Sequence, residues 1–425
     1  MVATRRTRLQ VVPFEDRTVP ALVLDVNGAG VLTAVRDAVT GQSDAVTLSV
    51  SPGNQINVKE GSTDLGTFPV AANLLIDLGT HSASFVDRLM LNDNVLKTNL
   101  RVNLGGGFTQ FRVIGGTSGL ATIDGNVRVQ GGDGSQFFLF GEFGEPTAYV
   151  TNITGNLKVD LGPGGDNGPP EAVGTVGSPP SPAIANVNGN VTVNNSTIFV
   201  WAGRIGGNLT VNSSKPADQL VFLGNYNRPM SIGGNVSIHT GPGADHLALQ
   251  STLVGRNATI DTGDGADLLQ MGVGENDPDN AGFNDAPATI VGKLTVRLGL
   301  GNDTAYFGAD SLTNPGQTNP LTVGGNMIVD AGTGDDQLFF PDARVQGRSI
   351  SISAGDGNDT VTIAKLIAPQ ALLSADLGNG DDVFTFKDFA AVSLKRAVID
   401  GDTGNDAYTA GTGNTFDFTI DRISI

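Results

Sequence analysis

A short phrase of two alternating glycines followed by an aspartate recurs along the second half of this chain and fixes what the chain can fold into. Its clearest copy is Ala354-Gly355-Asp356-Gly357-Asn358-Asp359, which leads straight into the alternating run Thr360-Val361-Thr362. Others are Thr262-Gly263-Asp264-Gly265-Ala266-Asp267, Ala331-Gly332-Thr333-Gly334-Asp335-Asp336 and Leu377-Gly378-Asn379-Gly380-Asp381-Asp382. Weaker copies end at Asp245, Asp303 and Asp406. The closing aspartates fall at 245, 267, 303, 336, 359, 382 and 406, in steps of 22, 36, 33, 23, 23 and 24 residues. A period near 23, stretched twice by insertions, means one supersecondary unit repeated and stacked.

The unit is best read at Val323-Gly324-Gly325-Asn326-Met327-Ile328-Val329-Asp330. A Gly-Asn turn opens it, a short strand follows, then the glycine-aspartate turn, then a second short strand such as Gln337-Leu338-Phe339-Phe340. The Gly-Asn turn recurs at Gly125-Asn126, Gly155-Asn156, Gly189-Asn190, Gly207-Asn208 and Gly234-Asn235. Gly and Asn tolerate the left-handed backbone that tight corners use. In the earlier units the aspartate turn is altered: Gly131-Gly132-Asp133-Gly134-Ser135-Gln136 carries Gln136 in its place, and Asn195-Ser196-Thr197 lacks both glycine and aspartate.

One such unit cannot bury its apolar face alone, whereas stacked units pair strands about 4.8 Å apart. The expected fold is therefore all-β: a single elongated parallel β-solenoid with about 22–24 residues per coil, capped at both ends. Inward columns are expected at Met327, Val329 and Leu338, over Ile350, Ile352 and Val361, over Leu373, Ala375 and Val383. Glycine, 59 of 425 residues, is at about twice its usual usage of roughly 7% and fits an all-β, turn-rich chain. Four segments are expected: an N-terminal segment 1–20, a β-rich cap 21–70, the solenoid 71–410, and a closing strand 411–425. Loops leave the coil near 162–186, 274–288 and 311–320.

The net charge is −18, and residues 241–425 hold 25 acidic against 10 basic residues, −15 of that total. Such a surface repels nucleic acid and attracts cations. No cysteine is present, so thiolate metal sites and disulfides are excluded, and no run of 18 apolar residues suggests a membrane-spanning helix. Stacking places Asp336, Asp359, Asp382 and Asp406 in one column, and Asp261, Asp330, Asp376 and Asp400 in a second, six residues earlier. Carboxylates about 5 Å apart repel by roughly 1 kcal/mol per pair even in water. A hard divalent cation with oxygen ligands would offset that; alternatively the aspartates only cap their turns.

The phrase resembles the Gly-Gly-x-Gly-x-Asp-x-apolar-x repeat of the RTX, or haemolysin-type, calcium-binding β-roll, over about residues 240–408. The resemblance implies Ca²⁺ held by Asp267, Asp303, Asp336, Asp359, Asp382 and Asp406, with Gly265, Gly334, Gly357, Gly380 and Gly404 exposing carbonyls. Asp264 and Asp356 within the phrase, and Asp330, Asp376 and Asp400 of the second column, join the candidate metal set. The family repeats its phrase every nine residues; here one copy falls per coil, so ions would line one edge only. Phe14-Glu15-Asp16-Arg17-Thr18-Val19-Pro20-Ala21, after Arg5, Arg6 and Arg8, resembles an N-terminal motif of exported planctomycete proteins and implies export or surface display.

The function expected is a non-catalytic, exported, calcium-binding β-solenoid acting as a cell-surface or extracellular structural or adhesive protein. Its partners would be surface or matrix polysaccharide or protein. The alternative is a carbohydrate-active β-helix, lyase-like or glycan-binding, using a solenoid groove. Arg344, Arg348 and Lys365 are the basic residues near the clean repeats, and the histidines His81, His239 and His246 and the lone Trp201 are scattered. They form no recognisable catalytic spacing.

Overall fold

The computed structural model describes residues 22–26, 31–36 and 46–424, apart from 61, 71, 79–84, 107–108, 116–119, 133–135, 141–149, 163–171, 176–183, 201–202, 217, 225–228, 273–286, 309–319 and 414. The segment 1–20, His81, Trp201 and most of the three expected loops lie outside the described residues. The chain is all-β, with no helix among the described residues, and its strands form a long parallel sheet consistent with a β-solenoid and not closed into a barrel. It divides into two compact units, Met1–Gly189 and Asn190–Ile425.

In the first unit, strands Val46–Ser51, Gln55–Glu60 and Thr63–Pro69 form an antiparallel meander. The first of these also pairs in parallel with Phe85–Met90. Parallel stacking then takes over, as in Asn99–Asn103 on Val127–Gln130 on Leu157–Asp160. Buried Phe111 and Phe138 stack with ring centres 6.1 Å apart.

The second unit shows the coil in its regular form. As far as Asp356 each coil has three strands where the sequence suggests two; beyond it the sides run on as the long strands Thr360–Asn379 and Val383–Asp400. Strand Met327–Thr333 leads to the aspartate corner, Gln337–Phe340 leads away from it, and the short strand Ala343–Val345 completes the circuit to the next asparagine corner. Three residues are too few to show a period, so this third side reads as a connection in the sequence. Its existence defines a third corner, near Pro341-Asp342, that carries no repeated motif. The irregular steps of 36 and 33 residues are explained there: the extra chain lies between Met271 and Ala288 and between Phe307 and Leu321.

Alternation follows the pleat. Met327, Val329 and Leu338 are buried over Ile350, Ile352 and Val361. In the next coil Leu373 and Ala375 follow, but Phe384 takes the inward place and Val383 is 36% exposed. This corrects the expected column. Asp382 aligns with Asp359 at the turn, so Val383 aligns with outward Thr360 and the pleat puts Phe384 inside. Phe307 and Phe340 stack at 4.8 Å in the same core; each fully buried aromatic contributes about 1.5–3 kcal/mol of transfer free energy. Strand Thr415–Ser424 pairs in parallel with Val383–Asp400 at the far end.

The asparagine corners are held by side-chain ladders. In the first unit the Asn126 N–H donates to Asn99 Oδ1 at 3.1 Å and the Asn156 N–H to Asn126 Oδ1 at 2.9 Å. In the second unit Asn208, Asn235 and Asn257 donate their N–H groups to the Oδ1 of Asn190, Asn208 and Asn235 in turn. Each ladder satisfies a backbone donor that the corner takes out of the strand pairing.

Candidate functional site

The aspartate corner begins as a backbone requirement. Gly357 sits at φ +141°, and a side chain there would run into the carbonyl oxygen of Gly334 in the coil below. Only glycine lets the two turns approach this closely. The turn then directs the closing aspartate inward. Asp336 and Asp359 are each 1% exposed and Asp382 is fully buried, while Asp245, Asp267 and Asp303 are also buried.

These carboxylates form one column with a fixed polarity. The Asp245 N–H donates to Asp267 Oδ1 at 2.7 Å, and the Asp267 N–H to Asp303 Oδ1 at 2.7 Å. Asp303 donates to Asp336, Asp336 to Asp359 and Asp359 to Asp382, each at 2.8 Å. Asp382 donates to Asp406 at 3.1 Å. Each N–H thus finds its acceptor one coil later in the sequence. The capping alternative is therefore realised by one oxygen of each carboxylate.

The other oxygen is not used in this way. Oδ2 of Asp245, Asp267, Asp303, Asp336, Asp359 and Asp382 is buried without a hydrogen-bond partner. Burial, and the like-charged neighbours above and below, push Asp245 and Asp336 up to about 7 and Asp303 and Asp359 up to about 6. Burial also raises Asp267 and Asp382. With coils about 4.8 Å apart, neighbouring charges repel by about 3–4 kcal/mol at an effective dielectric of 20. An orphaned, oxygen-only, anionic donor set fits a hard divalent cation. Among the described residues no group of three acidic or histidine side chains converges on one point. Asp267, Asp303, Asp336, Asp359 and Asp382 stand instead as a line, one carboxylate per coil, with Asp245 and Asp406 at its ends.

The other candidates lie elsewhere. Asp264 and Asp356 are exposed on the outer rim of the same turns. Asp330 and Asp376 are exposed and Asp400 half-buried on the outward face of the strands that enter the corner. There the register runs Asp261, Arg297, Asp330, Ser353, Asp376, Asp400, so the second column is interrupted by a cation and a serine. His239 Nδ1 lies 3.5 Å from Asp261 Oδ2. Lys365 Nζ contacts Asp342 Oδ2 at 2.7 Å and Arg344 Nε lies 3.7 Å from Asp342 Oδ1 at the third corner. Arg348 stands at the asparagine corner, so the three basic residues do not converge.

Two features go beyond what the sequence shows, an unforeseen second ladder and the bonding of the residue that replaces aspartate. Asn302, Asp335, Asn358, Asp381 and Asn405, each just before a column aspartate, form an exposed ladder: the N–H groups of Asp335, Asn358, Asp381 and Asn405 donate back to the preceding side chain at 2.8–3.0 Å. Its polarity is opposite to that of the buried column. The alternation of Asn and Asp at that position was the available signal. The second is what replaces aspartate. The Gln219 N–H donates to Asp245 Oδ1 at 2.6 Å, at the start of the column. In the first unit, Gln136 is fully buried, accepts from the Gly132 N–H at 3.1 Å and donates to the Gly105 carbonyl. A neutral amide there supplies its own donor and leaves no charge to offset.

Comparison with protein-family models, with curated proteins and with solved structures finds no match.

Proposed function

We propose that this protein is a non-catalytic β-solenoid stabilised by calcium along the aspartate column of its second unit, acting outside the cell as a structural or adhesive component. The observation that carries the reading is the set of six buried carboxylates, each with one oxygen bonded to backbone and the other without a hydrogen-bond partner. A column that served only to cap turns would gain the same backbone bonds from asparagine, as Asn302 and Asn358 provide in the exposed ladder beside it, without stacking charge in the interior. The exported setting rests on the N-terminal motif and on the resemblance of the turns to calcium-binding repeats. No helix among the described residues is long and apolar enough to cross a membrane.

The test is thermal unfolding of the full chain in EDTA, in several millimolar calcium and in magnesium. A ligand that binds only the folded state raises the midpoint in proportion to the logarithm of its concentration. A calcium-specific rise is the expected result; identical midpoints in all three solutions would refute the cation role.

A further inference from the structure

In the second unit, charge is sorted between two corners of the coil. The register Ala258, Leu294, Met327, Ile350 places Arg256 and Arg348 at the same position of the asparagine corner. Lys395 holds that position in its own coil and Lys293 lies next to it. All four are exposed, and among the described residues none makes an ion pair. This is unusual in a unit with 26 acidic and 13 basic residues. By contrast, Lys365 and Arg344 engage Asp342, and Arg297 is flanked in register by Asp261 and Asp330.

The aspartate corner, a seven-residue strand and roughly 20–25 Å away, presents exposed carboxylates on its outer rim: Asp264, Asp335, Asp356, Asp381 and Asp402. The same coils supply both signs. Arg256 and Asp264 mark the two ends of one strand, and Arg348 and Asp356 those of another. The aspartate corner keeps one length from the coil of Asp264 to that of Asp382, because the added chain of this unit falls at the third corner; the asparagine corner is one residue longer before Ile350 than before Met327.

We infer that the basic asparagine corner of the second unit docks against the acidic aspartate rim of a second copy of this chain, with the two coil stacks side by side and parallel. Both charge rows come from the same coils, so they share the same rise of about 4.8 Å per coil. An unshifted parallel neighbour therefore sets Arg256 against Asp264 and Arg348 against Asp356. The contact is heterologous, so it can repeat from copy to copy into a lateral row. The net charge opposes close approach, but over more than about 10 Å that repulsion is screened at 0.1 M salt. The contact is accordingly salt-labile.

Sedimentation velocity of the full chain, at constant calcium and with salt raised from 50 to 500 mM, tests this directly. The expected result is concentration-dependent association at low salt that weakens at least tenfold at high salt. R256E/R348E and D264K/D356K are each expected to be monomeric at low salt, and an equimolar mixture of the two is expected to associate again. Circular dichroism checks that both are folded. Arg348→Gln, a single exposed change, gives an intermediate loss if either double variant misfolds. A monomeric wild type at every salt concentration overturns the inference, as does association that survives both reversals. So does a monomeric wild type that is retained on a sulfated polysaccharide through the basic corner, which would make a polyanion the partner.

Discussion

Asp359→Asn keeps the oxygen that receives the Asp336 N–H at 2.8 Å and removes the charge. In the unloaded protein the Asp359 carboxyl is pushed up to about 6, by burial first and by the neighbouring Asp382, Asp335 and Asp356 charges. Against an unfolded value near 3.9, about two pKa units at 1.36 kcal/mol each give roughly 3 kcal/mol of destabilisation at pH 8. The new amide group would find the orphan Oδ2 atoms of Asp336 or Asp382 as acceptors. In EDTA at pH 8 the variant should therefore melt higher than wild type. At roughly 2–4 °C per kcal/mol for a unit of this size, the rise is about 5–10 °C. In calcium the order should reverse, because one carboxylate of the line is gone and the calcium-dependent increment shrinks. Differential scanning calorimetry of both proteins in EDTA and in calcium measures all four midpoints. If Asp359→Asn melts lower than wild type in EDTA, or if the calcium increment is the same in both proteins, the reasoning about stacked buried charge is wrong.

The same groups set a pH dependence. Their folded pKa values lie above the unfolded ones, so their contribution is fully present below about pH 4 and is lost as pH rises through 6 to 7. In EDTA the midpoint should be higher at pH 5 than at pH 8, and the calcium increment should be smaller at pH 5; melting curves at the two pH values check both. Gln136→Leu leaves the Gly132 N–H and the Gly105 carbonyl without their buried partner, at about 1–3 kcal/mol each. Urea titration of the first unit's transition should show the loss with no calcium dependence. Gly357→Ala meets both a φ of +141° and the Gly334 carbonyl; a cost of roughly 1–3 kcal/mol for the backbone alone should lower the midpoint of the second unit in EDTA and in calcium alike.

The repeat and its corners were legible because they rest on backbone chemistry that only Gly, Asn and Asp satisfy. The alignment of Asp336, Asp359 and Asp382 followed from the step of 23 residues. What the side chains do at the corner was less legible. Spacing places aspartates in a column but does not say whether they face solvent or core; that depends on the φ of glycines such as Gly357, which turns the chain inward. The misplacement of Val383 has the same origin, since the pleat is counted from the buried Asp382. The third side of the coil, in pieces such as Ala343-Arg344-Val345, was invisible because three residues carry no period. The division at Gly189 has no mark in the motif either, since the Gly-Asn turn runs through it unchanged.

The buried column runs one way, and that gives the second unit an order of completion. The N–H of Asp303 is satisfied by Asp336, that of Asp336 by Asp359, and that of Asp359 by Asp382. A chain delivered from its N-terminus, through a ribosome or a secretion channel, therefore cannot finish a turn until the following coil has emerged. Each coil waits on its successor, and the growing end always carries one open turn. Assembly becomes a processive act in which the last coil to arrive locks the one before it.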